Sequence, residues 1–405
     1  MFNLKFLLES FARADTTPTS TPADSTATSQ QIGVGNLDLQ DVKLSDRDGY
    51  MGIETRGDRG SLLVEMQEFN LDSMAFEVGD ASLENTRFTY LQTKPFPEQE
   101  QQEDSPMPFF SVESLKINNV VGDYQSIPDG FLADVDIDAL LLEMPEADLS
   151  QQKILIEMLG LKNSEILIKT TQTAEASETS ETTTKSQEEN ALFEWPAWQV
   201  EVQEISLLSN RFRFFMDGAT PQPGAFNPNA ISLRDFTFVA NDLVLAQSLK
   251  ARVEKLNFEE ISGLDLKESS FELEISEERL VVSDLGLQLN QNNLQGNLVI
   301  NYDSFAQFLE QPENASVDLD VPNFNLDLKD LFRIQPDLKQ NEYLAALAEK
   351  ELRGSFSAEG KLSEIEIGNT NVKWGQNTSL SASGKVFNAT DPENISFNFQ
   401  NIQFI

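Results

Sequence analysis

Carboxylates are the only abundant side chains in this chain that could do chemistry. There are 67 Asp and Glu against 29 Lys and Arg, with no His and no Cys. Asp46-Arg-Asp48-Gly49 opens like a calcium-binding loop, but the later ligands of that loop are missing, so it reads as a turn. Ile32-Gly-Val-Gly-Asn36 holds two glycines without the third glycine or the following helix of a dinucleotide site. A carboxylate pair of the glycosidase kind could be nominated almost anywhere, and that abundance points to solvated surface instead. Without His there is no ordinary general base, and the commonest metal ligand is gone. Without Cys there is no thiolate nucleophile, disulfide or sulfur-ligated metal. The expectation is a protein that is not an enzyme, with no cofactor and no metal.

The net charge of −38 repels phosphate backbones, so nucleic acid is not an expected partner. It also disfavours adsorption to an anionic membrane surface and favours solubility. No run reaches the ~18 apolar residues of a membrane span. The opening Met1-Phe-Asn-Leu-Lys-Phe-Leu-Leu-Glu-Ser-Phe11 is short, is broken by Lys5 and Glu9, and makes a poor signal peptide. The last residues, Gln403-Phe-Ile405, fall within an apolar alternation. Both ends are expected to continue into a longer protein.

The elements that would position any site are strands. Phe271, Leu273 and Ile275 alternate with Glu272, Glu274 and Ser276. Leu285, Leu287 and Leu289 alternate with Gly286, Gln288 and Asn290. The same period of two carries Val135 and Ile137, Leu298 and Ile300, Val317, Leu319 and Val321, Phe324 and Leu326, and Phe397 and Phe399. Successive side chains of a strand face opposite sides, so each segment has one apolar and one acidic or amide face. Turn signals at residues 290–293, 129–130, 359–360 and 369–371 join them. The expected fold class is mainly β: an elongated, curled, mostly antiparallel sheet forming an apolar groove, with a few short helices. Helical spacing is confined to residues 303–311, with Phe305, Phe308 and Leu309 on one side, and to 341–352, started by Asn341 or Gln340. A further turn is expected within 328–334.

Three segments lack the apolar content to pack. They divide the chain into a lead-in and polar loop at 1–31, a β block at 32–93, and a polar loop at 94–108. A second β block at 109–169, a disordered acidic Thr/Glu loop at 170–191 and a third β block at 192–405 follow. One strand style runs through all the blocks, which predicts one continuous sheet.

The apolar faces are rich in Phe, for example Phe212 with Phe214 and Phe236 with Phe238; the chain has 28 Phe. They could form a core against a second sheet or an open groove for acyl chains. About twenty strands cannot stay flat, and a long curl with few helices over it leaves a trough. Its candidate lining is Phe236, Phe238, Phe271, Leu273, Ile275, Leu285, Leu287, Leu289, Leu298, Ile300, Val317, Leu319, Phe324, Leu326, Phe397 and Phe399.

The order of motifs resembles the TamB branch of the AsmA-like family in its Bacteroidota form. Phe2-Asn-Leu-Lys-Phe-Leu-Leu8 and Gly33-Val-Gly-Asn-Leu-Asp-Leu-Gln-Asp-Val-Lys-Leu44 resemble an early strand pair. Trp195-Pro-Ala-Trp-Gln-Val-Glu-Val-Gln-Glu-Ile-Ser-Leu207 and Phe226-Asn-Pro-Asn-Ala-Ile-Ser-Leu-Arg-Asp-Phe236 resemble a mid-region block. Leu256-Asn-Phe-Glu-Glu-Ile-Ser-Gly-Leu-Asp-Leu266 and Leu294-Gln-Gly-Asn-Leu-Val-Ile-Asn-Tyr302 continue it. Leu352-Arg-Gly-Ser-Phe-Ser-Ala-Glu-Gly-Lys-Leu362 closes the match. The resemblance implies a translocation and assembly module of the cell envelope: a periplasmic β-groove anchored in the inner membrane. Such a protein carries phospholipid to the outer membrane, assists outer-membrane protein assembly, or both. It implies phospholipid acyl chains as partner. It also implies membrane contact through an amino-terminal anchor, and an outer-membrane assembly protein as partner through a carboxy-terminal domain, neither present in this sequence. In the assembly reading, edge strands would template cargo strands. The alternative is a secreted β-solenoid or adhesin with a packed interior.

Overall fold

The computed structural model describes residues 35–58, 60–70, 73–96, 107–171, 193–391 and 394–404, without the side chains of Asn369, Asn401 and Phe404. The expected lead-in at 1–31, and most of the segments expected as loops at 94–108 and 170–191, lie outside the described residues.

The described chain is mainly strand. It begins with β1 (Asn36–Gln40), β2 (Leu44–Asp48), β3 (Ile53–Asp58), β4 (Ser61–Asn70), β5 (Ala75–Glu84) and β6 (Arg87–Gln92). The register keeps β1 with β2, β3 with β4, and β5 with β6 on common lines, so six short strands make three long ones. The long β7 (Phe109–Ser126) and β8 (Phe131–Asp148) come next, then β9 (Lys153–Lys162) and β10 (Glu165–Thr170), which share a line. After β11 (Gln199–Met216), β12 (Ala230–Leu245) and β13 (Leu249–Glu260) come β14 (Asp265–Ile275), β15 (Arg279–Leu289) and β16 (Asn292–Asn301). The sheet ends with β17 (Ser316–Leu326), β18 (Leu352–Lys361), β19 (Glu364–Trp374), β20 (Thr378–Phe387) and β21 (Ser396–Phe404).

Twenty-one strands thus occupy seventeen lines, and each line pairs with the next in sequence. The pairing is antiparallel except at two places: β5 and β6 beside β7, and β9 and β10 beside β11. A parallel neighbour requires the chain to return to the end from which it started. The two segments that make this return are 93–108 and 171–198, which contain most of the polar insertions recognised in the sequence. They therefore close crossovers within one sheet and do not separate domains.

Two devices keep one face apolar along every line. In the first half, Asp41, Asn85, Asn119, Asn163 and Ser209 adopt left-handed backbone at the same level on the first, third, fourth, sixth and seventh lines. Asn and Asp tolerate this conformation better than most residues. Each adds one residue to its line, so the inward parity changes there. The backbone groups displaced at this seam are collected by polar side chains. Asn210 Oδ1 accepts the Ser164 N–H at 2.9 Å, and Asn210 Nδ2 donates to the Leu161 carbonyl at 3.1 Å. Ser164 Oγ accepts from the Asp138 N–H at 3.2 Å, and Thr237 Oγ1 from the Ser209 N–H at 3.1 Å. In the second half, β13, β15, β17 and β19 each carry an extra residue at mid-strand and β14 one near its start, between Leu266 and Ser269, while the apolar sides of β16, β18 and β20 run through unbroken. Such bulges bend a strand and increase its twist.

Two expected turns fall inside strands. Glu359 and Gly360 belong to β18, whose reversal comes at Leu362 and Ser363. Residues 369–371 form the bulge of β19. Gly360 is needed because a Cβ there would lie 2.7 Å from the Glu364 carbonyl oxygen. The helices are α1 (Phe305–Glu310), α2 (Leu331–Ile334) and α3 (Glu342–Leu347). Ser304 caps α1 and Asn341 caps α3 through side-chain oxygens. The helix expected over 341–352 stops early, because Leu352 is the first residue of β18 and pairs with Leu326 and Trp374. The ladder overrides local helix preference there.

Candidate functional site: an uncovered apolar face

The register places apolar residues in rows that run across the strands. One row reads Leu39, Leu62, Leu83, Ile117, Leu140, Leu161, Leu207, Phe238, Leu256, Ser269, Leu287, Leu294, Phe324, Gly354, Val372 and Leu380. Each member is the register partner of the next, and only Ser269 and Gly354 lack an apolar side chain. A second row reads Phe69, Phe76, Phe110, Ala147, Ile154, Val200, Leu245, Leu249, Ile275, Leu280, Ile300, Val317, Gly360, Ile365, Val386 and Phe397. Ile300 and Leu294, six residues apart on the unbroken apolar side of β16, show that both rows share one face. With strands ~4.8 Å apart, each row is about 70 Å long.

Among the described residues, this face has no second layer over its length: close packing between elements is confined to hydrogen-bonded strand neighbours and to the short helical segments among themselves. The row residues are accordingly mostly half-buried, not sealed. A denser patch joins Val317, Ala358, Ile365 and Val386, with Leu298, Ile300 and Leu319 against it.

All sixteen candidate lining residues project from this face. Phe238, Leu287, Phe324, Ile275, Ile300, Val317 and Phe397 are members of the two rows. Phe271, Leu273, Leu285, Leu289, Leu298, Leu319, Leu326, Phe236 and Phe399 flank them. Val317 and Phe324 are buried by their neighbours, whereas Phe397 is 59% and Phe399 41% exposed near the β21 edge. Sequence reading missed the amino-terminal half of the face: Phe76, Phe110, Ile117, Leu140 and Leu161 belong to the same rows. Their signal was alternation with a parity change at the seam, which a fixed period of two does not follow.

Both ends of the face carry structure. At one end, Phe193 and Trp195 meet Phe305 at ring distances of 4.8 and 5.4 Å, and Tyr302 stacks on Phe308 at 4.8 Å. Trp195 Nε1 donates to Glu277 at 2.8 Å, and the Tyr302 hydroxyl donates to the Ser276 carbonyl at 2.9 Å. At the other end, residues 327–333 cross three hairpin ends. Asp327 N–H donates to Asn292, Asp330 accepts from Asn292, and Arg333 donates to the Ser262 carbonyl. The Arg333 carbonyl then accepts the Phe226 N–H at 2.7 Å.

Burial, with Glu277 nearby, pushes the Tyr302 phenol from the ordinary value near 10 up to about 12. The folded state thus favours the neutral phenol. Its contribution to stability is complete below pH 10 and is lost as pH rises from 10 to about 12. Absorbance titration of tyrosinate should show a step near pH 12 that disappears in Tyr302→Phe. An unchanged profile in the variant would place that phenol in water.

The opposite face carries the charge. Arg252 sits opposite Glu272 and pairs with it at 2.9 Å, and Lys250 sits opposite Glu274 at 3.4 Å. Arg234 pairs with Glu259, and Lys385 with Glu364. These pairs are solvent-exposed and contribute little to stability. Their main effect is to keep this face wet. Asp46, Arg47 and Asp48 of the calcium-like segment lie in β2 and not in a turn; the turn begins at Gly49, where Asp48 accepts the N–H groups of Tyr50 and Met51 at 2.8 and 3.0 Å. Among the described residues no three acidic side chains gather as metal ligands, and no helix is long and apolar enough to cross a membrane.

Compared with protein-family models, curated proteins and solved structures, the chain finds no match in any of the three.

Proposed function

We propose that this chain is a hydrocarbon-carrying segment of an envelope-biogenesis protein, similar in design to the AsmA-like TamB branch, and that it acts as a carrier and not a catalyst. The observation that carries the reading is the pair of apolar rows, uninterrupted by charge and, among the described residues, without a covering layer. Burying a methylene contributes ~0.8 kcal/mol, so acyl chains laid on such a surface are held without any polar contact. The hydrocarbon of one leaflet is ~15 Å thick, half of the bilayer core, so rows of about 70 Å hold several lipids in series. Head groups would stay at the rim in water. The protein would sit in the periplasm, anchored to the inner membrane, and move phospholipid towards the outer membrane. A role in outer-membrane protein assembly would use the same sheet through its edges. A secreted adhesin with a dry interior is less well supported, because the rows remain half-exposed.

The test is native mass spectrometry with lipid extraction on the chain purified from a bacterial periplasm. Phospholipid bound in several copies is the expected result. A lipid-free protein with the same β-sheet signature would overturn the proposal.

A further inference from the structure

On the charged face, one region departs from the rest. Rows of this face can be followed by register as on the other. One reads Asn293, Asn325, Arg353, Lys373 and Ser379, and beside it Ser355, Asn371 and Ser381 stand in line. In a chain with 67 acidic residues, these eight positions contain none; the first acidic residue along the longer row is Glu268, two strands beyond Asn293. Arg353 and Lys373 are direct register partners. Among the described strand pairings, no other two basic residues face each other; elsewhere a basic residue faces an acidic or neutral one. Opposed residues have Cβ atoms ~5 Å apart, and like charges so placed destabilise the sheet. Among the described residues, Arg353 pairs with one carboxylate, Glu351 at 3.9 Å, and Lys373 with none. The two cations line a concavity of about 610 Å³ together with Asn323, Ser355, Asn371 and Gln376. Its lining presents amides, a hydroxyl and two fixed positive charges.

We infer that this concavity is a binding site for a phosphate oxyanion. The guanidinium offers a planar fork of donors, and the ammonium a mobile point charge. A tetrahedral oxyanion between them removes the cation–cation repulsion and is held by charge-assisted hydrogen bonds. Amide and hydroxyl groups around it supply further donors. The site lies on the face opposite the apolar rows, so it does not depend on the lipid-carrying proposal. The same chemistry fits free phosphate and the phosphodiester of a lipid head group. Arg353 is 51% exposed along its side chain, so the site is shallow and its affinity modest.

The test compares thermal midpoints of the full chain in inorganic phosphate, in deacylated glycerophosphoglycerol and in chloride, at constant ionic strength. Ligand that binds only the folded state raises the midpoint by mass action. Wild type should gain more in phosphate than in chloride, and Lys373→Glu should lose that gain. The same variant should be more stable than wild type in chloride, because it turns the repulsive pair into an attractive one. Lys373→Gln should weaken phosphate binding severalfold and gain less stability in chloride than Lys373→Glu, because it removes the repulsion without adding an attraction. A gain with glycerophosphoglycerol as large as with phosphate assigns the site to lipid head groups, and a gain with phosphate alone assigns it to the free ion. Equal responses in phosphate and chloride for wild type, or a phosphate gain that survives Lys373→Glu, would overturn the assignment.

Discussion

Aspartate at Leu273 and Leu287 together should lower the phospholipid that co-purifies with the chain about tenfold, while the β-sheet signature in circular dichroism stays unchanged. Both residues project from the apolar face and are half-buried, so the new carboxylates reach water when no lipid is present. The folded sheet therefore tolerates them. An acyl chain laid over them must strip water from two charges, at a cost of several kcal/mol. Leu287 lies in the middle of its row, between Ser269 and Leu294, so lipid cannot pass around it without leaving the row. Asn293→Asp, on the other face of the adjacent strand, adds charge without touching the row and should leave lipid content as it was. Normal lipid content in the double variant would remove these positions from any lipid path.

The second large effect is on stability. Asn210→Leu should destabilise the seam by about 2–6 kcal/mol, since a buried polar group left without its partner costs ~1–3 kcal/mol and two lose theirs. Asn210 is 4% exposed and Ser164 1%. Removal of the amide leaves the Ser164 N–H without its acceptor and the Leu161 carbonyl without this donor. Asn210→Asp keeps the acceptor and loses the donor, so its loss should be intermediate. Because each strand packs only on its neighbours, opening is expected to be local and not all-or-none. Native-state hydrogen exchange at Ser164 and Arg211 is the suitable measurement. Protection unchanged in Asn210→Leu would show that these hydrogen bonds do not hold the seam.

The strands were legible because the period of two survives along most of each line, as at Phe271, Leu273 and Ile275. Legible too were the polar segments that close the two parallel crossovers, although the crossovers themselves were not. Parallel pairing is set by which line the chain returns to, and no local residue pattern encodes that. The turn expected at Glu359-Gly360 failed for a physical reason: a glycine inside a strand marks close backbone approach as readily as reversal. Half of the apolar face was hidden for a related reason. Leu83 and Phe88 are on the same face although their numbers differ in parity, since Asn85 inserts one residue between them. The opposed cations at Arg353 and Lys373 were invisible in sequence, being twenty residues apart and joined only by register.

From β15 onward, a bulged strand is followed by one whose apolar side is unbroken. The hairpin is therefore the smallest unit that can be copied or deleted without turning the sheet inside out. Loss of β15 with β16 would bring β14 against β17 with direction and facing preserved. Loss of either strand alone would reverse the direction of everything downstream. Such a sheet works as a ruler graduated in pairs, with steps of ~10 Å. Under the proposed function, homologous chains matched to wider or narrower gaps between two membranes should differ in length by whole hairpins.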